Sequence, residues 1–337
     1  MPVEAKVALE ATEMAYRHAV CAALDDELAA DPTVVFFGED VASAGGVFKT
    51  NEGLLERYGL ERVFNTPICE NSFIGMALGM AATGLRPVVE VMFSDFLPTA
   101  GDALVNELPK FRFMSGGQLE APVTIRSMGG GTGRFGTQHS ATGESWYIGL
   151  PGLHVATASS PAAIYSILRT AIRSQDPTLV IEHKGLFNRK GPVVRSDEAI
   201  GEVGGARVLR EGGDATVVAT LLMAARSLEA AETLAADGTD LEVVDLQWLR
   251  PMDVETVEAS LARTGRVVVV EEQHHPGGWG ATLISALTQR GWNWTVPPWV
   301  VGISDELLVP YSPELEDRVI PSVERIASEC RRAVDAG

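Results

Sequence analysis

The chain reads as an α/β protein with two open-sheet domains, and three features predict this. Short apolar runs such as Val34–Phe37, Val88–Met92 and Thr178–Ile181 alternate with stretches of helical periodicity, the order that builds mostly parallel sheets flanked by helices. Near residues 185–205 the composition turns to Gly, Pro and alternating charges, separating two such series. At 337 residues the chain exceeds one ordinary domain. The expected division is residues 1–190, a linker at 191–206, and residues 207–337.

Taken in order, Met14, His18, Cys21 and Leu28 recur at helical steps, and that helix ends before Asp31-Pro32. His18 is read as part of the packed stripe. Val34–Asp40 follows as a buried strand that delivers a carboxylate, Glu39, at its end. Ala44–Gly59, with Gly45-Gly46, reads as a partly ordered surface excursion.

Val63–Phe96 is one strand, helix and strand unit. Its first strand ends at Thr66-Pro67, Glu70 stands at the handover, and Phe73, Ala77 and Met80 keep helical spacing behind it. In open α/β sheets sites collect at the carboxyl ends of strands, so Glu70 and Phe96 are expected on one rim. A helix N-terminal acid facing unpaired amides explains Glu70 equally well.

Leu97, Gly101, Leu104, Leu108 and Phe111 fit a further helix, and Pro122–Arg126 a strand. Met128–Gly136 is a glycine-rich loop that either cradles an anion or passes close to another molecule or subunit. It lacks the spacing of a nucleotide loop. His139 follows it outside any apolar periodicity, with chemistry and structure equally open. Val155–Ala156, a helix through Ile164 and Leu168, and Thr178–Ile181 complete the first sheet, with Glu182-His183-Lys184 at its exit.

The second domain offers strands at Thr216–Thr220, Leu241–Asp245 and Arg266–Val270, with helices near 223–236, 253–263 and 280–289 and a last one capped by Ser322. His274 and His275 read as a surface loop rather than metal ligands, because adjacent side chains seldom converge.

Composition narrows the functions. The net charge of −18 disfavours nucleic-acid and anionic-membrane partners. Cys21, Cys69 and Cys330 have no paired spacing, so neither a disulfide framework nor a zinc cluster is expected. The opening residues lack a leader pattern and no stretch reaches membrane-span length, which predicts a cytoplasmic protein without membrane contact. With 46% hydrophobic and 21% charged residues, the surface suits extensive subunit contacts.

The runs Gly38-Glu39-Asp40, Gly45-Gly46-Val47-Phe48, Thr66-Pro67 with Glu70, Gly84-Leu85-Arg86-Pro87, Gln138-His139-Ser140, Pro151-Gly152-Leu153, Asp176-Pro177 and Asp245-Leu246 carry a family resemblance over nearly the whole chain. The chain resembles the β subunit of the thiamine-diphosphate-dependent decarboxylating component of 2-oxoacid dehydrogenase complexes, a group that includes acetoin dehydrogenase β.

The resemblance implies an N-terminal pyrimidine-binding domain, a C-terminal transketolase-like domain and an α2β2 heterotetramer. It also implies an oxidoreductase that decarboxylates a 2-oxoacid and reductively acylates the lipoyl group of an acyltransferase partner. The α subunit supplies the diphosphate and magnesium site, in keeping with the lack here of a Gly-Asp-Gly segment followed by asparagine. Glu70 would contact N1′ of the aminopyrimidine, Phe96 would pack on that ring, Glu39 would support Glu70 or the pyrimidine region through hydrogen bonding, and His139 would serve proton transfer to the lipoyl sulfur. Backbone oxygens of Val123, Ala171, Ser174 and Asp176 would hold a structural potassium ion.

Cys69, Ala103 and Ala141 depart from the family pattern. Met114-Ser115-Gly116-Gly117 favours a pyruvate-type relative, whereas Glu182-His183-Lys184 with Phe187 resembles the acetoin group. Pyruvate, a branched-chain oxoacid and acetoin therefore all stand as substrates, beside a transketolase or synthase half-protein and a non-catalytic β-like subunit.

Overall fold

A computed structural model describes residues 10–43 and 45–336. The opening segment read for a leader lies largely outside those residues, as does Ala44 at the head of the expected excursion.

The first domain runs β1 (Thr12–Ala15), α1 (Tyr16–Ala30), β2 (Val34–Gly38), α2 (Leu54–Tyr58), β3 (Val63–Asn65), α3 (Glu70–Ala82), β4 (Arg86–Val91) and α4 (Phe111–Met114). It continues with β5 (Thr124–Gly129), β6 (His154–Thr157), α5 (Pro161–Arg173), β7 (Thr178–His183) and β8 (Lys190–Val193). The second runs β9 (Arg207–Arg210), β10 (Ala215–Ala219), α6 (Leu221–Ala235), β11 (Leu241–Asp245), β12 (Trp248–Arg250) and α7 (Val254–Thr264). Then follow β13 (Val267–His275), α8 (Trp279–Gln289), β14 (Trp299–Ser304), α9 (Pro313–Val319) and α10 (Val323–Asp335).

The large sheet has the order β12-β6-β7-β5-β4-β2-β3, and the second sheet the order β14-β13-β10-β11-β9. Within the first, β6, β7, β5, β4, β2 and β3 are parallel, so their carboxyl ends share one rim. Such strands are covered on both faces and read as continuous apolar runs: every residue of β2, β5 and β7 is buried. One neighbour crosses the expected division, because β12, after the linker, pairs antiparallel with β6.

Several local expectations change. Met14 lies in β1, which pairs with β8, and His18 is exposed: the buried face of α1 is Tyr16, Ala19, Val20, Ala23, Leu24, Glu27 and Leu28. Glu27 is buried there because Arg169 and Arg173 of α5 pair with it, an acidic position that hydrophobic periodicity passes over. The 45–59 stretch is no mere surface excursion, since Thr50, Asn51 and Leu54 are buried.

The helix expected through 97–111 is instead a 3₁₀ turn at Ser94–Ala100, a π turn at Asp102–Glu107 and a second 3₁₀ turn at Leu108–Lys110. Pro98 and Pro109 lack the N–H that a regular α ladder needs. Asn71 accepts from the Ala103 N–H at 3.1 Å, giving one group of this irregular stretch a partner.

Candidate functional site

Glu39 follows β2, Glu70 opens α3 after β3, Phe96 follows β4, and His139 lies in the loop after β5. Because those four strands are adjacent, the order of the sheet brings all four residues to one rim.

The connections are tied. Thr66 N–H donates to Gly38 O at 2.9 Å. Asn65 accepts from Ala42 N–H at 2.8 Å and donates to Ser43 Oγ at 2.7 Å, fastening the loop beyond Glu39 to the end of β3. The Glu39 carboxyl is held above its ordinary pKa, first by burial and then by the negative charges of Glu70 and Asp40.

Aromatic rings floor the other half. His139 stands edge-on to Phe93 (centroids 4.9 Å apart) and to Phe96 (5.4 Å), and those two phenylalanines meet edge-to-face at 5.4 Å. Lys184, just beyond β7, donates to the His139 carbonyl, and its ammonium lies 4.9 Å from the centroids of both Phe93 and Phe135. Asp95 accepts from Ala141 N–H at 3.2 Å. Burial pushes Asp95 up and brings Lys184 down to about 8.

Behind this wall, a cavity of about 360 Å³ opens between the domains, lined by Asp95, Ser140, Trp146, Glu272, Gln273 and Val309 among others. The glycine-rich loop borders the second domain of its own chain, where close passage to another molecule or subunit had been one expectation. A Cβ on Gly131 would meet Ile320, and one on Gly136, at φ +73°, would meet the Tyr311 ring. Gly131 N–H donates to Glu272 Oε1 at 2.6 Å, and Arg134 pairs with Glu316 and Asp317.

His183 is buried in β7. Its Nδ1 accepts from Gly185 N–H at 3.0 Å, which leaves Nε2 to donate to Glu272 at 2.9 Å. The exit triplet of the first sheet is therefore part of the seam. Glu272 and the two exposed histidines after it belong to an extended β13, not to a loop.

Unpartnered polar atoms mark where another molecule fits. Among the described residues, Glu39 Oε1, Thr66 Oγ1, Ser94 Oγ and Ser140 Oγ are buried without a hydrogen-bond partner. They follow β2, β3, β4 and β5 respectively, around the same rim. Buried polar groups are ordinarily paired, so this concentration fits a polar ring system lying against Glu39 and Glu70 with Phe96 as an apolar wall.

The four potassium candidates stand elsewhere, at the turn between α5 and β7 and the start of β5. Each carbonyl already accepts one bond: Val123 from Thr178 N–H (2.9 Å), Ala171 from Ser174 N–H (3.1 Å), Ser174 from Arg86 (3.0 Å) and Asp176 from Ser174 Oγ (3.0 Å). The Arg86 guanidinium thus already places a fixed positive charge at this turn. No group of three or more His, Cys, Asp or Glu suited to a metal occurs among the described residues, and no helix there is long and apolar enough to cross a membrane.

Comparison with known proteins decides the family. Residues 12–190 match the transketolase pyrimidine-binding domain and residues 204–326 the transketolase C-terminal domain. An acetoin:2,6-dichlorophenolindophenol oxidoreductase subunit β of Cupriavidus necator is 36% identical over 97% of this chain and 99% of its own. The chain belongs to the E1 β-subunit family.

Within that family, a mitochondrial pyruvate dehydrogenase E1 component subunit β-1 of Arabidopsis thaliana is also 36% identical, over 96% of this chain and 90% of its own. A solved structure described as a split-gene transketolase, an inactive β4 tetramer, superposes with a TM-score of 0.77 at 26% identity, covering 96% of this chain and 99% of that one. Both comparisons bear out the two-domain transketolase-like architecture, and the E1 β relatives put this chain among oxidoreductase subunits.

The E1 β family was legible in the motifs, but two residues of the rim were not singled out. Asp95 adjoins Phe96, and Lys184 ends the triplet read as a sheet exit and as a resemblance to the acetoin group, without a role of its own. The available signal for Lys184 is a charge placed directly after a buried strand, and for Asp95 its place beside Phe96.

Proposed function

We propose that this chain is the β half of a thiamine-diphosphate-dependent 2-oxoacid dehydrogenase, with an α subunit completing the site and supplying the magnesium ligands. The observation that carries this reading is the delivery of Glu39, Glu70 and Phe96 by adjacent strands to one rim bearing orphaned polar atoms, in a chain whose family model is a pyrimidine-binding domain.

Glu70 accepts a hydrogen bond from the aminopyrimidine and holds a proton at its ring nitrogen. A carboxylate suits that task because a charge-assisted bond strengthens as the nitrogen gains proton character. Glu39, whose carboxyl is raised first by burial and then by the charges of Glu70 and Asp40, supports Glu70 from the neighbouring strand. Phe96 orients the ring. His139 serves proton transfer to the lipoyl sulfur, for which an imidazole is suited near neutral pH. The bound thiamine supplies the carbanion-stabilising chemistry.

An exposed apolar side chain supports a partner-covered rim: Ile68, two residues before Glu70, is 82% exposed. The proposed compartment is the cytoplasm, where Cys21, Cys69 and Cys330 stay unpaired. A structural potassium ion would share its turn with Arg86.

Acetoin is the second substrate reading, favoured by the Cupriavidus relative that matches nearly end to end. The test assembles this chain with its α subunit and follows thiamine-diphosphate-dependent reduction of dichlorophenolindophenol. Turnover with a 2-oxoacid, lost in Glu70→Gln, is the expected result. Turnover with acetoin alone selects the second reading, and aldehyde transfer to a sugar acceptor selects a transketolase half.

A further inference from the structure

Lys184 stands where a lysine is costly to keep. It is only 9% exposed, and burial lowers its pKa to about 8 against the opposing charges of Asp95, Glu272 and Glu316. Its ammonium is nevertheless engaged on three sides. It donates to the His139 carbonyl and lies over the Phe93 and Phe135 rings, each centroid 4.9 Å away.

Phe93 is shared. Lys184 uses its π system, and the His139 imidazole stands edge-on to it at 4.9 Å and 84°. Around His139 the chain has little regular structure of its own: one 3₁₀ turn, Thr137–His139, lies between Gly136 and Ser140, and His139 N–H reaches Gly136 O at 3.2 Å. A backbone of this kind opens at low free energy unless something outside it holds it. Lys184 is one such contact, the one on His139 itself, beside the Thr137 hydroxyl donating to Val309 O at 3.0 Å and Ala141 N–H donating to Asp95 at 3.2 Å, and it projects from the end of the rigid strand β7.

We infer that Lys184 is a positioning residue for His139: it clamps the histidine's carbonyl to the end of β7 and so keeps the imidazole against Phe93 and Phe96. This inference rests on the catalytic role proposed above for His139. The charge matters as well as the shape, because a charged donor makes the stronger hydrogen bond and alone makes the cation–π contacts. The groups facing the ammonium are Asp95 after β4, Glu272 on β13, Glu316 on α9 with its partner Arg134, and His139 itself.

Two measurements on the assembled α and β enzyme test this. The first is carbethoxylation of histidines by diethylpyrocarbonate, read by peptide mass spectrometry. Lys184→Met is expected to speed labelling of His139 by about tenfold or more, the worth of one hydrogen bond to a charged donor. The exposed His18 should keep its rate, and Lys184→Arg should restore that of His139. Unchanged His139 labelling in Lys184→Met, or an arginine variant that labels like the methionine one, overturns the clamp.

The second is the pH profile of thiamine-diphosphate-dependent turnover. Lys184→Met should lower kcat by about ten- to a hundredfold, with KM for the oxoacid within about twofold. In the wild type, turnover should fall as the ammonium is lost on raising pH through about 8. Lys184→Arg, permanently charged, should move that fall to higher pH, and an identical alkaline limb overturns the inference. If the wild-type assembly shows no thiamine-dependent turnover, the catalytic reading fails, while the labelling ratio still decides the clamp.

Discussion

Arg126 of β5 lies fully buried between Glu90 of β4 and Glu182 of β7, whereas a few residues further along the neighbouring strands Ser94, Ser140, Glu39 and Thr66 keep buried polar atoms without partners. In the middle of the sheet, Arg126 Nε and Nη2 reach the two Glu182 oxygens at 2.7 and 3.0 Å, and Thr50 and Asn51 join from the 45–59 stretch. Glu90 Oε1 is left over there, and its carboxyl is held high, by burial against the pull of Arg126. At the rim, four buried polar atoms lie unpartnered, one after each of β2, β3, β4 and β5. The same strands thus hold a closed polar network at mid-length and an open one at their ends.

Breaking the closed network should have the largest effect. Arg126→Met leaves two carboxylates buried without their cation and should cost about 3–5 kcal/mol in urea unfolding; a loss below about 1 kcal/mol would mean the trio is not interdependent. At the open rim, Glu70→Gln should behave oppositely. Turnover should fall by about a hundredfold or more, with stability within about 0.5 kcal/mol of wild type.

Glu39→Gln sharpens the contrast within the rim. An uncharged carboxyl analogue should keep most of the support that Glu39 gives Glu70, so turnover should drop only about tenfold, and a loss equal to that of Glu70→Gln would make the two acids equivalent.

The smallest effect concerns the domain seam. Burial raises Glu271 to about 7. A carboxyl raised on folding contributes stability that is fully present below its unfolded value near 4.5 and is lost as pH rises through about 7. Glu271→Gln retains an oxygen to accept from Gly280 N–H, a 3.0 Å contact in the wild type. Its melting temperature at pH 8 should exceed wild type by about 2 °C, with the advantage gone at pH 4.

The rim was readable ahead of the structure because Glu39, Glu70 and Phe96 each follow a recognisable strand, and strand ends are where parallel sheets gather chemistry. Arg126 was hidden for the converse reason. It ends the stretch read as a strand and Glu90 sits inside an apolar run, so each looks like an isolated charge until β4 and β5 are paired. His18 misled because α1 packs a face that includes Glu27, whose partners come from α5 more than a hundred residues later. The π turn at 102–107 and the three-residue strand β12 leave no periodicity to read, one being irregular and the other too short.

That short strand constrains how the protein can be divided. Trp248 and Arg250 pair with Ala156 and Val155, and Arg250 also donates to the Ile148 carbonyl at 3.0 Å. A fragment ending near residue 200 would strip β6 of this cover and bare a row of backbone donors and acceptors, an invitation to edge-to-edge aggregation. Expression trials of the N-terminal half alone should therefore include a tethered 246–252 peptide.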